Sequence, residues 1–129
     1  MLILAYMIRE LEKYKAIGEQ TRFRIVRLLI KAGKNLCACE LIDILKKPQY
    51  TVSKHLNILK RAELVQEHRD GRLMVYRLKN DLTFNKRLFK TIEAVEDMSN
   101  PIFKKDIERL GERLSLRRGG KCVCVRKEL

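Results

Sequence analysis

The sequence has little of what interrupts regular structure: it contains no tryptophan, two prolines and six glycines among 129 residues. Because proline and glycine are the strongest chain breakers, their scarcity predicts that most of the chain is helical. Long apolar runs are also missing, since the apolar stretch at 1–8 falls far short of the roughly 18–20 residues of a membrane span. Aromatic residues make up only 6%, but the hydrophobic fraction of 46% predicts a folded core and argues against disorder.

Acidic residues are the other shortage. The chain carries 16 Asp and Glu against 29 Lys and Arg, which gives a formal net charge of +13. An excess of this size favours a polyanionic partner, with nucleic acid first and an anionic membrane surface second. The length indicates one domain, because domains cluster at about 100–150 residues.

The four cysteines fall into two pairs, Cys37-Ala38-Cys39 and Cys122-Val123-Cys124. No basic segment precedes the apolar start of the chain and no small-residue cleavage site follows it, so we expect no signal peptide and a cytoplasmic protein without a membrane partner. Thiols stay reduced in that compartment. The pairs therefore favour metal or redox chemistry over structural disulfides.

Hydrophobic spacing predicts a mainly helical chain with one β-hairpin. The first helix has more apolar surface than a small domain can hide, which favours packing against a partner helix. The second helix is expected to face Arg22, Arg24, Arg27 and Lys31 outward and to end at Gly33, and Asn35 is expected to cap the third helix. The expected helices are 2–16, 19–32, 37–46, 51–62, 82–98 and 102–116.

The third and fourth helices, separated by a tight turn at Pro48, match a helix-turn-helix. Two strands follow at 64–67 and 73–78, and the Asp70-Gly71 sequence between them is a hairpin signal. A hairpin directly after a recognition-type helix is a wing. The expected fold is therefore a mainly α winged helix-turn-helix with a small β-hairpin.

The outward face of the fourth helix and the wing supply the candidate DNA contacts. Side chains that combine donors and acceptors suit base edges in the major groove, and these are Gln49, Ser53, His55 and Asn57. Others suit phosphate contacts, which fix register but read little sequence, and these are Tyr50, Thr51, Lys54, Lys60 and Arg61. At the wing, Arg69 and Arg72 are expected to grip the minor groove or flanking phosphates.

The segment from Gly18 to Leu78 resembles the ArsR/SmtB family of winged-helix, metal-sensing repressors. The resemblance rests on four stretches in the family's order: the helix opening Gly18-Glu19-Gln20-Thr21-Arg22, the box Leu36-Cys37-Ala38-Cys39-Glu40-Leu41, the recognition core Ser53-Lys54-His55-Leu56, and the wing Arg69-Asp70-Gly71-Arg72. It implies a homodimer formed through the terminal helices. It also implies a repressor that binds double-stranded operator DNA with inverted-repeat symmetry and leaves it when a metal or metalloid binds.

The resemblance to the metal box favours arsenite, or antimonite, as the inducer. The arsenic-sensing form of the box often has a third cysteine three residues after the second, where this chain has Ile42. The third ligand is then expected from Cys122 or Cys124, of the same or the other subunit. Alternatively, Cys37, Cys39, Cys122 and Cys124 form a tetrathiolate site for cadmium, lead or zinc, or the thiols sense oxidants or persulfides.

The spacing within each pair also sets a geometric condition. In a strand, residues i and i+2 face the same side, about 6.5–7 Å apart, so Cys122 and Cys124 can approach one ion. In a regular helix the same spacing points two side chains about 200° apart. Cys37 and Cys39 are thus expected to share an ion only if the start of the third helix frays or distorts, which would strain the first helix of the helix-turn-helix and move the recognition helix.

The chain is expected to divide into a DNA-binding and dimerisation domain at 1–116 and a basic, flexible tail at 117–129. We expect no enzyme, since no nucleophile with a base and an orienting partner, and no Gly-rich phosphate loop, is visible in the sequence.

Overall fold

The computed structural model describes residues 2–95 and 99–124. Within them, six helices and three strands follow one another along the chain. Their bounds are α1 Leu2–Ile17, α2 Gln20–Ala32, β1 Leu36–Cys37, α3 Ala38–Leu45, α4 Gln49–Arg61, β2 Val65–Asp70, β3 Leu73–Leu78, α5 Thr83–Glu93 and α6 Pro101–Ser115.

The three strands form one antiparallel sheet in the order β1-β3-β2. The β2–β3 hairpin closes through Gly71 and Arg72, and Gly71 has a φ of +63°, a conformation that glycine adopts without steric cost. This hairpin confirms the expected wing. The short strand β1 was not predicted, and it pairs Cys37 with Val75 of the wing.

The hydrophobic core lies among α2, α3, α4 and α5. The apolar positions that periodicity assigned to the interior of α3 and α4 are buried: Leu41, Ile44, Leu45, Val52, Leu56 and Leu59. Leu88, Phe89 and Ile92 of α5 are buried as well. Gly33 closes α2 with a φ of +61°, as the sequence predicted. α4 begins at Gln49, directly after Pro48 and two residues before the expected start at Thr51. The helix-turn-helix is thus fixed by packing on its inner face, which leaves its outer face free for a partner.

Two arginines of α2 do not face solvent as periodicity predicted. Arg24 is 7% exposed and forms a bidentate ion pair with Asp106 of α6, with both N···O distances at 2.8 Å. Arg27 is 3% exposed, its guanidinium lies 4.7 Å from the ring centre of Phe103, and it donates to the carbonyl of Val95. The prediction was wrong because α6 covers this face of α2, and its Asp106 and Phe103, together with the carbonyl of Val95, supply the partners that buried guanidinium groups require.

Several predicted boundaries also moved. Cys37, not Asn35, is the N-cap of α3, because β1 occupies the preceding residues. β2 begins at Val65 and extends to Asp70, beyond the expected end at Glu67. α5 ends at Glu93, short of the expected Met98, and Met98 itself lies outside the described residues.

One face of α1 is apolar and uncovered. Leu4, Met7, Ile8, Leu11 and Tyr14 recur at helical spacing, and each is more than half exposed. In the part of the chain that the structure describes, no helix combines the length and apolarity needed to cross a membrane.

Candidate metal centre and DNA-binding face

The four cysteines meet in one cluster. Their sulfur atoms all lie within 4.8 Å of one another, although the two pairs are 85 residues apart in the sequence. The structure joins Cys37 to Cys122 and Cys39 to Cys124 as disulfides, and Cys39 Sγ also lies 3.2 Å from Cys37 Sγ and 3.4 Å from Cys122 Sγ. All four sulfurs of this cluster come from a single chain.

The strand-to-helix junction explains why Cys37 and Cys39 lie side by side. Cys37 is the N-cap of α3 and has extended backbone angles, with φ −88° and ψ 161°, whereas Cys39 already belongs to the helix. The 200° separation expected within a regular helix therefore does not apply. Of the two expected conditions, fraying or distortion, the structure meets the first: Cys37 lies outside the helix, because the unpredicted strand β1 holds it in an extended conformation.

A buried carboxylate fixes this junction. Glu40 is fully buried and its Oε1 accepts the backbone N–H of Cys37 at 3.0 Å. Arg117, just after α6, donates to both carboxylate oxygens at 2.7 and 2.8 Å and to the carbonyl of Asn35 at 2.7 Å. The hydrogen bonds to Glu40 raise the pKa of Arg117, against the effect of burial. The first residue of the expected tail is therefore anchored on α3.

A second arginine touches the cluster itself. Arg113 of α6 is 4% exposed, and its Nε lies 2.9 Å from Oδ2 of Asp43 on α3. Its Nη2 lies 3.7 Å from Cys39 Sγ and donates to the carbonyl of Val123, between the two tail cysteines. Sequence reasoning missed both arginines, because their side-chain partners on α3 and at the α3 junction lie 70 or more residues away in the chain. Only Glu40 left a signal, since it stands three residues after Cys37 at capping-box spacing.

The cluster matches the donor set of a soft metal ion once the disulfides are reduced to thiols. A tetrahedral zinc site has metal–sulfur distances of about 2.3 Å, which places its sulfurs about 3.8 Å apart. The sulfurs that are not bonded to each other, at 3.2 and 3.4 Å and all within 4.8 Å, are close to that spacing, and the two disulfide-bonded pairs reach it by separating on reduction. Cys37 is buried, Cys39 and Cys122 are half-buried and Cys124 is exposed, so an ion has a way in through the tail.

The cluster also borders the wing. A cleft of about 380 Å³ lies between them, lined on one side by Cys37, Cys122 and Arg117 and on the other by wing residues including His68 and Arg72. Since β1 is hydrogen-bonded to β3, Cys37 belongs to the same sheet as the wing. A structural change at the sulfurs thus has a short route to a candidate DNA contact.

The candidate DNA contacts lie on α4 and on the wing. Most of them are exposed: Gln49, Tyr50, Lys54, Asn57, Arg61, Arg69 and Arg72. The rest are half-buried: Thr51, Ser53, His55 and Lys60. The exposed set alone contains four cations, so this face can meet phosphate groups directly.

His55 is the candidate most occupied inside the protein. Its side chain is 13% exposed, and its Nδ1 lies 3.1 Å from Arg22 Nη1 and 3.7 Å from Glu19 Oε2. Burial lowers the pKa of His55, with Arg22 acting in the same direction and Glu19 opposing it. Arg22 also donates to the carbonyl of Ala16, so His55 ties α4 to the α1–α2 junction. The contact between His55 and a base edge of DNA stays a prediction.

A model of bacterial regulatory proteins of the arsR family matches residues 19–67. A protein of Methanocaldococcus jannaschii described as an uncharacterized HTH-type transcriptional regulator is 42% identical over 87 residues, which cover 67% of this chain and 91% of that protein. The chain belongs to the arsR family. Membership makes it a DNA-binding transcriptional regulator and not an enzyme.

Other members of the family carry more specific names. The cadmium resistance transcriptional regulatory protein CadC of Listeria innocua is 36% identical over 67 residues, 52% of this chain and 56% of that protein. The arsenical resistance operon repressor of Escherichia coli is 34% identical over 68 residues, 53% of this chain and 57% of that repressor. This ArsR-family chain is therefore similar to regulators named for cadmium resistance and for arsenical resistance.

Solved structures support the winged helix-turn-helix fold. HlyU from Vibrio cholerae superimposes with a TM-score of 0.62 at 23% identity, covering 70% of this chain and 94% of that one. At that identity the likeness concerns the fold alone.

Lys54 offers a direct test of the phosphate contacts in this ArsR-family regulator. Replacing it by Ala should weaken binding to all DNA sequences and reduce the slope of log K against log salt by about 1. Lys60→Ala, at another predicted phosphate contact, should reduce the slope less, because the Lys60 ammonium already pairs with Glu67 at 2.6 Å. Filter binding or fluorescence anisotropy over a salt series measures both slopes. An unchanged slope for Lys54→Ala would contradict its assigned role.

Proposed function

We propose that this chain is a homodimeric, metal-responsive repressor that releases its operator when a thiophilic divalent ion binds Cys37, Cys39, Cys122 and Cys124. The observation that carries the proposal is the meeting of four sulfurs, from two distant parts of one chain, within 4.8 Å. They come together beside the helix-turn-helix and the wing. In a reducing cytoplasm the four would be thiols, which release their protons on binding an ion.

The number of sulfurs favours a divalent ion over arsenite. Cadmium, lead and zinc accept up to four thiolates, whereas trivalent arsenic and antimony bind three. Three of the four cysteines would still suffice for arsenite, and relatives named for arsenical as well as cadmium resistance match the chain. Arsenite and antimonite are therefore the competing inducers in the test below.

DNA release would follow from an ion that links the tail to the helix-turn-helix. An ion shared by the two pairs connects residues 122–124 to the junction where α3 begins, and α3 leads directly to α4. The cleft between the cluster and Arg72 gives a second route, through the wing. By linkage, an ion that lowers operator affinity must itself bind less tightly to the DNA complex.

Dimerisation is proposed from the uncovered face of α1. Five large side chains, each more than half exposed, form an apolar stripe of the kind that a partner helix covers. A two-fold dimer would present two α4 helices to successive major grooves, about 34–36 Å apart. The operator should accordingly be an inverted repeat.

A titration with ions tests the proposal. The reduced protein is bound to DNA from its own upstream promoter, and the complex is followed by gel shift while Cd²⁺, Pb²⁺, Zn²⁺, arsenite or antimonite is added. We expect release with one divalent ion per chain, at lower concentration than with arsenite. Retention of the operator at saturating Cd²⁺ would overturn the proposal, and release by arsenite alone would make the chain an arsenic sensor.

The disulfides favour one second candidate, a repressor that responds to oxidants. Oxidation of the two dithiols, Cys37 with Cys122 and Cys39 with Cys124, would remove two electrons and two protons from each and reduce hydrogen peroxide to water. Adding peroxide to the metal-free complex in the same gel shift distinguishes an oxidant sensor from a metal sensor. An oxidant sensor should release the operator without any ion and should bind it again on reduction.

A further inference from the structure

We infer that Arg113 is the residue that sets the preference of the cysteine cluster for a divalent ion over arsenite. The inference rests on the proposed function in one respect, that the four cysteines are the ion's ligands. Arg113 is buried, yet its guanidinium reaches three separate parts of the site: Asp43 on α3, Cys39 and the backbone between the tail cysteines.

The two kinds of ion leave different charges in the cluster. A divalent ion that binds four thiols releases four protons to solvent, and the complex of one +2 ion with four thiolates carries a net charge of −2. Arsenite, as As(OH)₃, exchanges three hydroxyls for three thiols and releases three waters, which leaves a neutral complex. Only the divalent complex therefore needs a nearby positive charge.

Arg113 is placed to supply that charge. Its Nη2 is 3.7 Å from Cys39 Sγ, and its side chain is 5% exposed, so water screens the interaction weakly. A guanidinium keeps its proton at any physiological pH, so the charge is permanent. The opposing charge is Asp43, whose side chain is 37% exposed and whose carboxylate is better screened by solvent. Arg117 instead pairs with the fully buried Glu40. Among the described residues, Arg113 is therefore the cation that contacts a cysteine sulfur.

The alternative role for Arg113 is purely structural. Its bond to the carbonyl of Val123 holds the tail against α3, and loss of that hold would weaken every ion equally. The two roles differ in one measurable quantity, the ratio of Cd²⁺ affinity to arsenite affinity. A positioning role leaves the ratio unchanged, whereas a charge role lowers it when the charge is removed.

The test uses the full, reduced chain without DNA. Cd²⁺ affinity is measured by competition with a chelator, through the sulfur-to-metal charge-transfer absorption, and arsenite affinity by calorimetry. Arg113→Gln should lower Cd²⁺ affinity about 10–100-fold, the usual effect of losing a group that supports a metal ligand. It should lower arsenite affinity less than about threefold, and Arg113→Lys, which keeps the charge, should restore most of the Cd²⁺ affinity.

Two further variants keep the test decisive. Arg109→Gln is the matched control, because Arg109 lies one turn earlier on α6 and contacts the carbonyl of Ile44 instead of a sulfur. Asp43→Asn removes the opposing carboxylate at a partly exposed position, so it should fold even if Arg113→Gln does not, and it should raise the Cd²⁺-to-arsenite ratio. Equal losses for both ions in Arg113→Gln, or an unchanged ratio in Asp43→Asn, would overturn the inference. Tight Cd²⁺ binding without operator release would instead count against the proposed function alone.

Discussion

Replacing Cys122 and Cys124 by serine should leave operator binding intact and abolish the response to Cd²⁺. The double variant keeps Cys37 and Cys39 but loses half of the ligand set. Four-ligand structural sites bind zinc with about 10–16 kcal/mol, so the loss of two ligands should cost about 5–8 kcal/mol, or about 10⁴- to 10⁶-fold in affinity. Cys37→Ser with Cys39→Ser should lose the response in the same way, since it removes the other half.

The single variant Cys124→Ser makes this prediction sharper. Three sulfurs remain, which is enough for arsenite but not for a tetrathiolate site. Its response to Cd²⁺ should fall strongly while a response to arsenite should survive. The measurement is operator release in a gel shift, with the ion affinity of the free protein measured in parallel. A double variant that still releases DNA at the original Cd²⁺ concentration would place the ion site elsewhere.

The sequence predicted the winged helix-turn-helix because its signals are local. Val52, Leu56 and Leu59 recur at helical spacing, and the Asp70-Gly71 turn specifies a hairpin without reference to the rest of the chain. The structure confirms both the buried face of α4 and the hairpin. Tertiary packing preserves these local structures, because the core buries the same apolar face of α4 that the sequence pattern indicates.

The cluster could be predicted only in part, because its geometry depends on contacts between distant segments. The spacing Cys37-x-Cys39 was visible, but the strand β1 that sets the two sulfurs together has two residues and is formed by pairing with β3. Arg113 and Arg117 carry no signal of their own in the sequence, because their partners Asp43 and Glu40 come within reach only when α6 packs against α3. Periodicity assigns such residues to solvent, since it carries no information about a second helix that covers them.

The same covering helix gives the largest expected effect on stability, at the pair of Arg24 and Asp106. Both side chains are less than 10% exposed, and two hydrogen bonds of 2.8 Å join them between α2 and α6. Asp106→Ala would leave the buried guanidinium without a counter-charge. Breaking a buried pair in this way usually costs about 3–5 kcal/mol, so we expect the free energy of unfolding, measured by urea denaturation, to fall by that amount.

The double variant Arg24→Met with Asp106→Leu distinguishes a loss of charge pairing from a loss of packing. Replacing both members of a buried ion pair by apolar residues of similar volume is often neutral or stabilising, because neither charge is then left without a partner. The double variant should accordingly recover most of the stability lost by Asp106→Ala. If it is as unstable as the single variant, the pair contributes through the shape of the α2–α6 contact and not through its charges. Because α6 also carries Arg113 to the sulfurs, a chain weakened at Asp106 should bind Cd²⁺ less tightly than the double variant does.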